Sequence, residues 1–403
     1  MITTSQLEEI IESQNSIIKD KKSGTKRELL EKVAEVEGFA SIITGIRRCG
    51  KSTLMLQILG DQNANVLFLN FEDIRLSGFE ISDFNTLLAI IDKKGYIKLF
   101  FDEIQFVENW EMMVRTCLDK GLHVIITGSN AAMLSVELGT KLTGRHLSAE
   151  LFPFSFSEFV KFKGKELGLE SFNEYLLTGG FPDYVRTGNG QILRTLLDDI
   201  LARDIAVRYG VRDFNSLRQL CVYLISNIGK PFSATKIKGM FGLNAPSTIL
   251  DYLSYFEKSY IFQYLPKFSY SMKVQIRNSK KVYAIDLGLF TENSVSFSEE
   301  LGRRLENAVF LFLRAQTKEI YYFQEKKECD FVVFKNGKLD RLVQVCYTLD
   351  AHNLKRETEG LLEAMVFFDQ SEGYLLTHSQ SDVYNFENKK INILPAWEYF
   401  GKN

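Results

Sequence analysis

Several things are scarce in this sequence. Its 403 residues include only 6 prolines, 4 histidines and 5 cysteines. No run of about 18 apolar residues is free of charge, so no transmembrane helix is expected. The opening segment from Met1 to Ile10 is polar and acidic and lacks an apolar stretch, so no secretory signal is expected either. Cys49, Cys117, Cys221, Cys329 and Cys346 lie far apart, form no Cys-x-x-Cys pair and cannot all pair. That usage fits a reduced, cytoplasmic chain better than a disulfide scaffold. His123, His146, His352 and His378 show no metal-ligand spacing, so no zinc site is proposed. No charge of one sign dominates: 49 basic and 51 acidic residues leave a net charge of −2. What is present is the composition of an ordinary globular protein, 45% hydrophobic and 25% charged, which excludes a disordered or collagenous chain. The length suits two to four domains.

The pattern from residue 3 to about 150 alternates helix and strand. A helix is expected over 3–19. Nearly continuous apolar runs at Ala40–Thr44, Val66–Phe71, Ile97–Phe101 and Leu122–Thr127 predict parallel strands buried on both faces, with a further strand near His146–Leu151. Helices between them give an α/β fold class. Residues 155–210 read as helical, broken at Gly179-Gly180-Phe181-Pro182. Helices near 214–228, 233–241 and 247–258, with Ser233 and Ser247 as N-caps, precede strands near 260–265 and 281–286. That is the order of a winged helix-turn-helix. Residues 290–300 are polar and read as a linker. A mixed α/β segment follows: a helix at 301–315, strands at 319–324, 329–335 and 339–349, a helix near 353–368 and a strand near 373–378. Asn336-Gly337 is a hairpin-turn signal. The expected domains are 1–152, 153–211 (a lid-like helical extension), 212–290 and 297–403.

One motif carries chemistry directly. Gly45-Ile46-Arg47-Arg48-Cys49-Gly50-Lys51-Ser52 matches GxxxxGK[ST] and lies between an apolar strand and the helix that begins near Thr53. Glycines let backbone N–H groups close around phosphate oxygens, and the helix N-terminus adds positive potential. Lys51 would bridge the outer phosphates and Ser52 would offer its hydroxyl to Mg²⁺. A second apolar strand ends in Asp102-Glu103, at the rim where parallel sheets bind ligands. Asp102 would hold the Mg²⁺ shell, and Glu103 would orient or deprotonate the attacking water. A third strand ends in Thr127-Gly128-Ser129-Asn130. Asn130 or Ser129 is a candidate for holding the water or sensing the γ-phosphate, and capping of the next helix is the competing reading. Arg47, Arg48, Arg145 and Arg203 are finger or sensor candidates; for any one of them a surface ion pair is the simpler reading.

The ordered set Ile43–Ser52, Phe101-Asp-Glu-Ile-Gln105, Thr127-Gly-Ser-Asn130, Leu142-Thr-Gly-Arg145, Leu151–Glu158 and Gly179-Gly-Phe-Pro182 resembles the bacterial and archaeal AAA-type ATPases. The resemblance implies binding of ATP and Mg²⁺ and a parallel sheet of order 5-1-4-3-2. It also implies a winged-helix segment and a C-terminal domain of unknown function, here matching 302–307 and 328–333, that is similar to restriction-endonuclease folds. A nuclease of that kind uses a helix glutamate, a strand aspartate and then Glu-x-Lys on the next strand. Glu306 and Asp330 fill the first two positions, but the last two read Gln344 and Cys346. Glutamine is a poorer Mg²⁺ ligand than a carboxylate, and cysteine supplies no fixed cation, so cleavage is expected to be lost.

The near-neutral total hides segregation. Residues 212–281 hold eleven lysines and arginines against Asp213, Asp251 and Glu257, a local charge of +8 that leaves −10 for the rest. With Phe268 and Tyr270 interleaved, this stretch is a candidate nucleic-acid surface; a solvated face is the alternative. The sequence thus points to an ATPase switch, with an ATP-tuned regulator binding DNA or protein as the rival and an ATP-dependent nuclease third. An arginine finger in trans would require a homo-oligomer.

Overall fold

A computed structural model of the chain describes residues 2–20, 24–60, 65–131, 142, 144–295 and 300–402. Two compact units are present, Met1–Phe152 and Pro153–Asn403. No described helix is long and apolar enough to cross a membrane.

The first unit is built on five parallel strands: β1 (Ala40–Thr44), β2 (Val66–Asn70), β3 (Lys98–Asp102), β4 (His123–Gly128) and β5 (His146–Glu150). Their order is β5-β1-β4-β3-β2, as the resemblance implied. Every residue of β1 and β3 is buried. Leu99 and Phe101 join a core with Leu7, Ile10 and Ile11 of α1 (Thr4–Asp20) and Leu87 and Ile90 of α3 (Ile81–Lys94). Phe100, between them, is equally buried on the other face. Helices on both faces therefore explain why these strands lack polar alternation. Between α1 and α3, the helix α2 (Lys51–Leu59) leaves the end of β1. Because all strands run one way, the ends of β1, β3 and β4 share one rim, with β4 between the other two.

The second unit opens with the helices Phe156–Lys163, Leu169–Thr178, Pro182–Thr187 and Gln191–Asp199, the last running into a π-helical turn Ile200–Val207. The double glycine at 179–180 is a packing device. A Cβ on Gly180 would lie 2.2 Å from the Phe154 carbonyl oxygen, and one on Gly179 would lie 2.4 Å from Asp286 Oδ1. Asp286 in turn accepts hydrogen bonds from the backbone N–H of Gly180 (2.6 Å) and Gly288 (2.7 Å).

Helices Phe214–Ile225, Ala234–Ile237 and Pro246–Lys258 follow, with a three-stranded antiparallel sheet β6-β8-β7 formed by β6 (Pro231–Phe232), β7 (Phe262–Pro266) and β8 (Lys280–Ala284). Ser233 caps its helix by accepting from the Lys236 N–H. Ser247 does not cap: Ala245 is the N-cap and Pro246 takes the first helical turn, where its missing N–H is harmless. The first part of the expected linker, residues 290–293, is helical. Leu287–Asn293 is a helix, and Leu287, Leu289 and Phe290 are buried. Residues 296–299 of that stretch lie outside the described residues.

The rest of the unit is a six-stranded mixed sheet of order β13-β14-β12-β11-β10-β9. Its strands are β9 (Ile320–Gln324), β10 (Glu328–Lys335), β11 (Lys338–Val345), β12 (Glu372–Thr377), β13 (Asp382–Phe386) and β14 (Lys389–Pro395). Asn336 (φ 53°) and Gly337 (φ 73°) turn β10 into β11, as their sequence predicts. The helices Leu301–Arg314 and Leu354–Phe367 join the cores of this sheet.

Candidate functional site

The phosphate loop connects β1 to α2. Three of its residues take positive φ, Gly45 (155°), Arg48 (64°) and Gly50 (103°), and the last two turn the loop sharply into the helix. Ile46 and Cys49 point into the core, the Cys49 thiol facing the Leu151 carbonyl at 3.4 Å. The loop is braced from upstream. Arg27, itself buried, donates from Nη1 to the Cys49 carbonyl (2.8 Å) and from Nη2 to the Phe152 carbonyl (2.6 Å). No sequence signal singled out Arg27.

Lys51 is the first residue of α2 and is only 4% exposed. Its ammonium donates to the Gly45 carbonyl (3.1 Å) and the Ile46 carbonyl (3.3 Å), and it pairs with Glu103 Oε1 at 3.4 Å. Burial works against its charge, but Glu103, with Cys49 and Asp102, outweighs burial and raises the Lys51 pKa. Next to it, Ser52 is exposed and donates to Asp102 Oδ2 at 2.7 Å. A hydroxyl and a carboxylate side by side at a helix N-terminus are the donor set a phosphate-bound Mg²⁺ requires, so the residues present fit that ion. Thr53 follows, half-buried, in the first turn.

Asp102 closes β3 and is buried. Burial raises its pKa, opposed by hydrogen bonds from Thr127 and Ser52. The Thr127 hydroxyl on β4 donates to Asp102 Oδ1 and accepts from the Glu103 N–H (3.0 Å), tying the two strands together at the rim. Glu103 adopts φ 51°, a left-handed conformation uncommon for a non-glycine residue and concentrated at functional sites. Burial pushes its pKa up, but Lys51 and the Gln105 hydrogen bond outweigh burial and lower it. Gln105 Nε2 donates to Glu103 Oε2 and to Ser129 Oγ (3.2 Å). Asn130 is buried at the same rim, one residue beyond Ser129.

The structure thus brings together Gly45, Gly50, Lys51, Ser52, Asp102, Glu103, Ser129 and Asn130. Arg47 lies beside them but is paired with Glu72 (2.9 Å), while Arg48 is exposed. Arg145 is not brought in. It precedes β5, at the opposite end of the strands from the loop, and pairs with Asp119 at 2.8 Å. Arg203 belongs to the other unit. Thr127 and Gln105 were visible within motifs but carried no assigned role.

A second polar cluster lies inside the 153–403 unit. The Lys281 ammonium, on β8, meets Glu328 (2.8 Å), Asp330 (2.9 Å) and Glu306 (3.1 Å). The Tyr283 hydroxyl donates to Glu306 (2.6 Å) and the Val345 N–H to Asp330 (3.0 Å). Burial pushes the Glu306 carboxyl up to about 7, while Lys281, itself buried, is held well above its ordinary value by Asp330 and Glu306. A Cβ on Gly229 would come within 3.0 Å of Glu306, so the backbone there lies close over the cluster. Gln344 accepts from the Asp330 N–H (3.2 Å) and donates to Glu357 (2.9 Å). The cation at the centre of these carboxylates is thus Lys281 of β8. This corrects the charge count too, because Lys281 is not a surface cation.

Over 390 residues the chain is 34% identical to the uncharacterized protein MJ1544 of Methanocaldococcus jannaschii, covering 89% of this chain and 87% of that protein. The chain belongs to that protein's family. Residues 38–160, which hold the loop and all five strands, match an AAA domain. Within the same family lies an uncharacterized protein of Haemophilus influenzae, 31% identical over 80% of this chain and 86% of its own length. Residues 169–298 match a domain of unknown function. That match falls upstream of 302–333, where the resemblance had put such a domain. Among solved structures, Cdc6p of Pyrobaculum aerophilum aligns with 62% of this chain and 91% of its own at 12% identity, with a TM-score of 0.27, too weak to carry an argument.

Proposed function

We propose that this AAA-domain protein binds ATP with Mg²⁺, hydrolyses it to ADP and phosphate, and acts as a cytoplasmic nucleotide-driven switch. The observation that carries the reading is the convergence of Lys51, Ser52, Asp102 and Glu103 on one rim, joined by direct contacts. Backbone N–H groups of residues 45–53 cradle the phosphates and Lys51 neutralises their outer charge. Ser52 and Asp102 would hold Mg²⁺, which supplies Lewis-acid stabilisation of the phosphoryl oxygens. Glu103 takes the proton of the attacking water. Asn130, on the rim, senses the γ-phosphate. Arg145, turned away from its own loop, is a finger only toward a neighbouring copy. The test is thermal stabilisation by Mg-ATP, abolished in Lys51→Ala, together with hydrolysis lost in Glu103→Gln. Hydrolysis that survives in Glu103→Gln removes the assigned base.

Residues 153–211 serve as a lid-like extension, 212–290 as a winged-helix element and 297–403 as a restriction-endonuclease-like domain without cleavage. The lost cleavage is supported by Lys281, which stands as a built-in cation among Glu306, Glu328 and Asp330. Metal-dependent DNA cleavage abolished by Asp330→Ala would overturn it.

Nucleic-acid binding is the second reading, favoured by exposed Lys273 and Arg277 beside exposed Tyr270 on the connection between β7 and β8. The helix Pro246–Lys258 supports it poorly, since it exposes Leu250, Asp251 and Glu257. Changing Lys273, Arg277 and Lys280 together to Glu is expected to weaken DNA binding and flatten its salt slope; unchanged binding rejects the placement.

A further inference from the structure

Gln105 is used on one side only. Its Nε2 donates to Glu103 and Ser129, while its Oε1 is buried with no hydrogen-bond partner among the described residues. The orientation of the amide follows from its surroundings, because the reverse would set an oxygen against the Glu103 carboxylate. A buried acceptor without a partner is costly, and such groups in native proteins call for an explanation. Here the orphan oxygen belongs to the side chain that grips the Glu103 carboxylate, two residues along the chain. Glu103 itself is held in a left-handed backbone conformation by the Thr127 hydroxyl. Two strand ends, the base on β3 and Ser129 after β4, are therefore connected through one amide whose remaining acceptor is unspent.

We propose that Gln105 is a positioning residue of the hydrolytic site: its Nε2 fixes the Glu103 carboxylate against Ser129, and its Oε1 accepts a hydrogen bond from the nucleophilic water. The inference rests on the ATPase reading above. In the step it serves, the water oxygen forms a bond to the γ-phosphorus and the bond from that phosphorus to the β,γ-bridging oxygen breaks. One water proton goes to Glu103, the other is held toward Gln105 Oε1 and stays on the new phosphate. ADP leaves with the electron pair of the broken bond, and Glu103 then gives its proton to solvent. Two acceptors on one water fix both its position and the direction of its lone pair, which neither residue achieves alone.

The test compares wild type, Gln105→Met, Gln105→Glu, Glu103→Gln and Lys51→Ala in steady-state ATP hydrolysis and Mg-ATP binding. Gln105→Met keeps the volume and removes both polar atoms. Gln105→Glu keeps the shape, loses the donor and sets a second carboxyl beside Glu103, so one of the two reports even where the other fails to fold. Expected for both is a kcat lower by about 10- to 100-fold with Mg-ATP affinity within about threefold of wild type. A kcat lowered while Mg-ATP affinity is kept is a split that a purely structural role would not give. Wild-type kcat in both variants overturns the inference, as does loss of ATP binding equal to that of Lys51→Ala. Wild-type turnover no faster than Glu103→Gln overturns the ATPase reading with it.

Discussion

Lys51 Nζ stands 3.4 Å from Glu103 Oε1, so the loop's cation and the Glu103 carboxylate neutralise each other. On the ATPase reading proposed above, a γ-phosphate arriving at the loop would take Lys51 over from Glu103 and free the carboxylate to meet water, so that binding and activation of the base would be one exchange of partners. Glu103→Gln removes the competitor and the base together. Its expected signature is Mg-ATP affinity about threefold tighter, worth about 0.6 kcal/mol, with turnover reduced by at least about 100-fold. Calorimetric titration and a phosphate-release assay check both halves.

Lys281 serves three carboxylates in a buried setting. Lys281→Met strands them, and is expected to destabilise the 153–403 unit by about 3 to 5 kcal/mol. Neutralising its partners in the same chain, with Glu306→Gln and Asp330→Asn added, should recover a substantial part of that loss. Denaturant unfolding of the single and triple variants gives the comparison, and equal instability in both would argue against an electrostatic cause.

Gly180→Ala places a methyl group 2.2 Å from the Phe154 carbonyl. Backbone is on the receiving side, so no rotamer can give way. A loss of about 3 kcal/mol or more is expected, seen as a lower thermal midpoint. Gly337→Ala, which meets no neighbouring atom but keeps φ at 73°, should cost less, about 1 kcal/mol.

Asp286 is fully enclosed, and burial lifts its carboxyl to about 6 in spite of three backbone N–H donors. A carboxyl raised above its unfolded value of 3.8 favours the folded state most when protonated. That contribution is complete below the unfolded value and disappears as the pH rises through about 6. The shift corresponds to stability on the order of 3 kcal/mol. Thermal melts from pH 4.5 to 8 should show this component falling with pH, and Asp286→Asn should lose it.

The nucleotide side of the chain was legible because its chemistry is local. A glycine loop, an apolar strand ending in Asp102-Glu103 and a strand ending in Thr127 each carry their meaning in a few consecutive residues, and parallel strands bring those ends to one rim. Arg27, outside the loop motif, could not be read, because it reaches the loop through the backbone carbonyls of residues 49 and 152, which leave no side-chain signature. Lys281 was misread for a related reason. Composition counts it as a surface cation, and only the pairing of β8 with its neighbours turns it inward. Ser247 was misplaced by one local rule overriding another, since Pro246 claims the helix start. The strand β13 went unread because Asp382–Phe386 is mostly exposed, whereas β14 does carry a strand's alternation, with Ile391 and Ile393 buried.

The enclosed ammonium of Lys281 has a mechanical meaning. It rivets the ribbon of β7 and β8 to the helix and strand that carry Glu306 and Asp330. Shear between those parts would pull the ammonium away from three carboxylates that have burial against them. Within residues 153–403 the ribbon and the mixed sheet are therefore fastened at a charge, and their relative slippage is resisted by electrostatics as well as by packing.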